Sequence, residues 1–186
     1  DDEEIPFQLV DEDGKRILKF VTDITSHQTK EIRLEEYTGS QTKKFNARTY
    51  AELSMKANNV YFEKRFRGNK FENVNYLKVP ARHTDHDALF KYEGPGWESE
   101  KVGYRFYLDW RNATDIFGKN KNQLILDQVG NSDTVAKDDS YHSMQEWGMD
   151  IFKAGSSLGI GSIGMWADGK VNMVSKTDSV ICSIPY

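Results

Sequence analysis

One cysteine, Cys182, stands in 186 residues, so no intrachain disulfide framework holds this chain together. In "SVICSIPY" it reads as a small buried strand residue. Prolines number four, and no low-complexity tract or internal repeat interrupts the sequence. No apolar run approaches the roughly 20 residues that span a bilayer. Positive charge is not in excess either. A net charge of −4 without a Lys/Arg block offers no cationic field to nucleic acid. A GxSxG elbow, a P-loop, a GxGxxG turn and an HExxH helix are all missing. These absences argue against nucleic-acid and membrane partners and against the best-marked hydrolase, nucleotide and zinc-protease sites.

What is present is an ordinary globular balance, 38% hydrophobic and 29% charged, long enough to bury a sizeable core. Short strand patterns separated by turn dipeptides dominate. "IPFQLVDEDGKRILKFV" sets Asp13-Gly14 between two apolar runs, and "IGSIGMWADGKVNMVS" repeats the arrangement with Asp168-Gly169. Between them "KEIRLEEYT", "RTYAELSMK", "NVYFEKRFRG", "NVNYLKVP", "YRFYLDWRN" and "NQLILDQVG" read as further strands. "SYHSMQEWGMDIFKAG" has the spacing of a helix capped by Ser140 and ended by Gly155, although Gly148 weakens it and a strand is the alternative. The fold class is mainly β: antiparallel sheets with at most one or two short helices, in a single β-rich domain over residues 1–186. No leader precedes Asp1, and both ends fall on strand patterns, which suggests a mature chain or part of a longer one.

The strand "KVGYRFYLDWRN" alternates sharply. Val102, Tyr104, Phe106, Leu108 and Trp110 share one face, which reads as core; Arg105, Tyr107, Asp109 and Arg111 share the other. That second face is either a solvated surface of Arg–Asp pairs or a ligand face, whose forked guanidiniums suit carboxylate or sulfate. Asp115 and Lys119 follow in an apparent loop. "PARHTDHDALF" gathers His83, Asp85, His86 and Asp87, for which a divalent metal at His83 and His86, an acid–base or substrate-binding loop, and an exposed polar loop are all open readings. Tyr141 beside His142 supplies two groups able to move protons. Asp150 and Lys153 would share a helix side. In "EGPGWESE" a Gly94-Pro95-Gly96 turn brings backbone close to a ligand. Trp97 then either packs in the core or presents a flat face to a pyranose ring, while Glu93 and Glu98 accept hydroxyl hydrogen bonds.

The blocks "HTDHDALFKYEGPGWESEKVGYRFYLDWRNATDIFGK" and "SYHSMQEWGMDIFKAGSSLGIGSIGMW" resemble the domain of unknown function family 4861, and the likeness extends to "IPFQLVDEDG" near the N-terminus. Members of this bacterial family occur among polysaccharide-degradation genes, notably for pectin-like and ulvan-like acidic glycans, and are longer than this chain. The resemblance implies an antiparallel sandwich similar to the galactose-mutarotase supersandwich, with a concave sugar-binding face. It also implies an exported, periplasmic protein acting on acidic oligosaccharides, with the rest of a longer chain as a partner. Some relatives are linked to dehydration of uronate-terminated ulvan fragments.

Three functions follow as expectations. In a lyase or dehydratase, Arg105 and Arg111 stabilise the charge that develops on a uronate, and His142 or Tyr141 takes the C5 proton. His86 or Tyr107 protonates the departing oxygen, and Trp97, Glu98, Glu93, Tyr107, Asp109, Asp115, Lys119 and Asp150 hold the sugar. No cofactor is required, with a divalent ion at His83 and His86 as the exception. A carbohydrate-binding module without turnover is the second expectation. A hydrolase using paired carboxylates such as Glu93 with Glu98 or Asp150, or a sugar epimerase, is the third.

Overall fold

A computed structural model describes residues 3–36, 38–39, 44–130, 140–175 and 177–184. Contacts divide the chain into two units, one within residues 1–47 and one of residues 48–185. The first holds β1 (Phe7–Glu12) and β2 (Lys15–Phe20), paired antiparallel from Phe7 opposite Phe20 to Glu12 opposite Lys15. Asp13 and Gly14 join them at φ of 50° and 73°. Two successive left-handed residues give the turn whose twist matches that of the flanking strands, which is why Asp-Gly announces the hairpin.

The second unit contains β3 (Thr49–Glu52), β4 (Ser54–Lys56), β5 (Val60–Phe62), β6 (Arg65–Arg67), β7 (Phe71–Asn73), β8 (Tyr76–Lys78), β9 (Gly96–Ser99), β10 (Val102–Phe106), β11 (Thr114–Lys119), β12 (Gly148–Asp150), β13 (Gly164–Ala167), β14 (Lys170–Met173) and β15 (Ile181–Ser183). Five form a central antiparallel sheet in the order β12-β11-β10-β9-β3. The others pair in twos, β4 with β7, β5 with β6, β8 with β15 and β13 with β14. Asp168 and Gly169 turn the last pair at φ of 54° and 74°, repeating the first hairpin. The protein is mainly β and antiparallel. Among the described residues its helical elements are two 3₁₀ turns, Leu126–Gln128 and Ser140–His142, and no helix is long and apolar enough to cross a membrane.

Four local readings are corrected. Asp115 and Lys119, expected in a loop, lie on β11. Residues 30–36 form no strand. "NQLILDQVG" makes a 3₁₀ turn, because the Glu98 carboxylate accepts the N–H groups of Ile125 and Leu126 that a neighbouring strand would otherwise take. "SYHSMQEWGMDIFKAG" is one 3₁₀ turn followed by β12 rather than a helix, with Gly148 opposite Lys119 and Asp150 opposite Phe117.

The main core is Leu53, Phe66, Leu89, Phe90 and Leu108, against which half-buried Cys182 on β15 packs. Each such large side chain contributes about 1.5–3 kcal/mol on burial. A smaller cluster joins Phe117, Leu126 and Val129. Around these clusters the sheet reverses the reading of its middle strand. Regular alternation ends with β10 at Phe106. Beyond it the Tyr107 N–H bonds to the Ala113 carbonyl and the Leu108 N–H to that of Glu93, so 107–113 is a tight loop. Arg105, Asp109 and Arg111 are buried, while Tyr104 and Phe106 are half-exposed and Trp110 is exposed. Of the face read as core, Leu108 alone belongs to the buried cluster, with Phe106 packed against it.

Candidate functional site

The register of the central sheet decides which side chains share a face. Arg105 lies opposite Asp115 on β11 and opposite Gly96 on β9. Phe117 lies opposite Asp150, and Glu52 opposite Gly96. Alternation then gathers Glu52, Glu98, Arg105, Asp115, Phe117 and Asp150 on one face, and all six are buried. Five ionisable groups under cover are costly unless each has a partner.

Most of the partners are visible. Glu52 accepts from Lys91 at 2.8 Å, from the Tyr92 hydroxyl at 2.5 Å and from Ser54. Burial raises its pKa, but Lys91, Ser54 and Tyr92 outweigh burial and hold it below the usual carboxylate range. Glu98 accepts from Ile125, Leu126 and Lys119, and Lys119 also donates to the carbonyls of Ser99 and Gln123, each at 2.7 Å. Glu98 and Lys119 are therefore mutually satisfied inside the protein, which corrects their assignment to sugar contact. Arg105 is not free for a substrate carboxylate either. Its guanidinium lies 4.6 Å from the rings of both Tyr92 and Phe117 and 5.9 Å from that of Tyr141, and it donates to the Val129 carbonyl. A cation enclosed by ring faces is held by their quadrupoles.

Arg111 is engaged as well. Its Nε lies 2.9 and 3.1 Å from the two Asp109 oxygens, one guanidinium nitrogen is 3.0 Å from Glu93 Oε2, and the fork sits 3.8 Å above the Tyr107 ring. Asp109 and Glu93 thus serve Arg111 rather than a sugar. Glu93 also accepts the His86 N–H at 2.7 Å. The Tyr107 hydroxyl donates to Asp115, whose second oxygen is buried and has no hydrogen bond among the described residues.

Next to Asp115 on this face, Asp150 meets His142. Its Oδ2 is 2.9 Å from the imidazole Nδ1, while its Oδ1 accepts the Phe152 N–H at 3.0 Å. Burial pushes the Asp150 carboxyl pKa up, against the Phe152 N–H, His142 and Arg105, which favour its anion. The His142 side chain keeps 19% of its surface exposed and stands at the rim. The Tyr141 ring lies 4.2 Å from the imidazole and 6.2 Å from Phe117. The structure therefore brings together Arg105, Tyr107, Asp115, Tyr141, His142 and Asp150, and through Tyr107 joins them to Arg111, Asp109 and Glu93.

Two expected members lie elsewhere. Trp97, on β9, alternates to the opposite face, 39% exposed, and stacks on Tyr104. The glycines before it serve the chain itself: a Cβ on Gly94 would sit 1.9 Å from the Phe106 carbonyl oxygen, and one on Gly96 2.8 Å from the Tyr92 ring. The two histidines of "PARHTDHDALF" also part company. His83, its side chain 1% exposed, pairs with Asp87 at 2.9 Å and sets its ring edge-on to Phe90; His86, 74% exposed, faces Asp85 and Glu93. They do not converge on one ion, and among the described residues no group of three or more His, Cys, Asp or Glu is arranged to hold a metal. Tyr92, Glu52 and Phe117, which complete the site, have no signature in the sequence because two separate strands and a loop deliver them.

The Asp115 carboxyl is raised to about 6, first by burial and then by the Asp150 charge, with Tyr107, Arg105 and Arg111 opposing. Its unfolded value is 3.8, so the folded chain holds this proton more tightly. The favourable contribution is complete below the unfolded value and is lost as pH rises through the folded one. That difference amounts to about 3 kcal/mol. Asp115→Asn, which keeps an acceptor for Tyr107, is expected to raise stability near neutral pH by about 1–3 kcal/mol, with the gain vanishing below about pH 4. Urea midpoints of both proteins across that range measure it.

These features define a mainly β protein whose central sheet carries a buried layer of paired charges opening on a His–Asp pair. Residues 1–184 match the family model DUF4861, a domain of unknown function, and the chain belongs to that family. No curated protein matches the chain, and no solved structure does.

Proposed function

We propose that the protein is an exported carbohydrate-active enzyme that removes water from a uronic-acid residue of an acidic oligosaccharide. The observation that supports this most is His142, half-buried, with its Nδ1 2.9 Å from an oxygen of buried Asp150. A carboxylate this close to the ring favours the imidazolium that forms when the imidazole takes a proton, the electrostatic support that general-base catalysis uses.

His142 takes the C5 proton, α to the substrate carboxylate, and the freed electron pair forms the C4–C5 double bond. The C4–O bond breaks, and the departing oxygen receives a proton from Tyr107 and leaves as water. Burial and Asp115 raise the Tyr107 phenol pKa, so the group carries its proton at neutral pH. Arg105 acts through space from beneath Tyr141, countering the negative charge that builds on the enolate-like intermediate. Arg111 holds the Tyr107 ring from the other side.

The test is incubation with a uronate-terminated oligosaccharide, followed by ultraviolet absorbance and mass. The expected product absorbs as a 4,5-unsaturated uronate and is lighter by one water. Products whose combined mass gains a water would establish hydrolysis instead, and saturable binding with unchanged substrate would reduce the protein to a binding module.

A further inference from the structure

We infer that the opposite face of the central sheet carries a second sugar site, an open aromatic hollow that takes one uncharged pyranose ring. This inference stands apart from the dehydration reading. Trp97, Tyr104, Phe106, Thr114, Ile160 and Gly161 line a hollow of about 330 Å³. Trp97 and Tyr104 are direct cross-strand partners, with ring centres 5.6 Å apart and planes 22° from parallel. The two rings stack, which leaves the indole as the more exposed ring and its outer face as the platform. Such a platform matches the C–H face of a pyranose, where an aromatic face removes apolar surface from water without demanding charge.

The lining settles the class of occupant. None of the six residues is charged, so a uronate would lose the solvation of its carboxylate here and find no cation in return. A neutral ring meets no such penalty. Thr114 brings a hydroxyl to the wall, and its Oγ1 lies 3.2 Å from Ser162 Oγ. The wall is tied to the sheet, since the Ile160 N–H donates to the Thr114 carbonyl at 3.0 Å. Above Gly161 the space is open. The volume sits at the small end of the roughly 300–1,000 Å³ of ligand sites, which fits a single ring rather than an enclosed chain.

The experiment titrates the full chain with methyl β-glucopyranoside and methyl β-galactopyranoside, with glucuronate as the anionic comparator, following ligand signals by saturation-transfer NMR. Saturable binding of a neutral glycoside is expected, with glucuronate about tenfold weaker or silent. Trp97→Ala should weaken binding by at least about tenfold, and Trp97→Phe should restore most of it. His142→Ala should leave this binding intact while removing turnover of the uronate substrate, so the two readings fail separately. Absence of saturable binding by either neutral glycoside, or equal binding by Trp97→Ala, would overturn the inference. So would a dimer that becomes monomeric in Trp97→Ala, because a second copy would then be the occupant.

Discussion

Lys119→Met unfolds at a much lower urea concentration than the parent chain, a loss of about 3–5 kcal/mol. Lys119 is fully covered, and each of its three protons has an acceptor: the Glu98 carboxylate and the carbonyls of Ser99 and Gln123. Methionine fills similar volume but leaves the Glu98 charge buried with only the Ile125 and Leu126 N–H groups against it. Truncating one side of a buried pair is costly because the other charge stays behind. Glu98→Gln in the same background removes that stranded charge, so the double variant should lose less than the sum of the singles, by about 1–3 kcal/mol of coupling. A Lys119→Met loss below about 1 kcal/mol would mean that the pair is solvated and that Glu98 does not organise residues 123–126.

The parts of this fold that were legible in the sequence are local. Asp13-Gly14 and Asp168-Gly169 specify their hairpins because the turn residues themselves adopt the left-handed conformation that closes the pair. Alternation in "KVGYRFYLDWRN" likewise identified which residues keep company on β10. What it does not encode is which face is covered. Polar residues are assigned to water by default, and that default fails when distant residues supply partners. Arg105 is enclosed by Tyr92, Phe117 and Tyr141, and Arg111 is held by Asp109 and Glu93, eighteen positions upstream by numbering (111 − 93). The same limit explains Glu98, whose carboxylate looked available until the backbone of 125–126 came to it. His142 and Tyr141 stood out by their chemistry, but their pairing with Asp150 depended on β12 being a strand beside β11. Trp97 was expected to share a site with Arg105 and His142, and it lies on the opposite face of the sheet from Arg105. Its register partner is Tyr104, and no spacing argument on β9 alone reveals that.

His142→Ala lowers kcat on the uronate substrate by about 10²–10⁴-fold, the range of a positioned acid–base group. Asp150→Asn should fall in the same range for a different reason. The amide can still accept the Phe152 N–H, so β12 keeps its local bond, yet it no longer carries the charge that stabilises the imidazolium formed on proton transfer. Asp150 acts through His142, which makes it a positioning residue. Three readouts separate that role from damage to the fold. KM should change little while kcat falls, because the lost interaction belongs to the transition state. A substrate deuterated at C5 should show a larger kinetic isotope effect in Asp150→Asn, as proton removal becomes the slow step. Urea midpoints should show no loss large enough to account for the missing turnover, since burial already penalises the Asp150 anion and the neutral amide escapes that penalty. If either variant turned over within about threefold of the parent, the proton would be leaving by another group, and Tyr141, 4.2 Å from the imidazole, would be the next to replace.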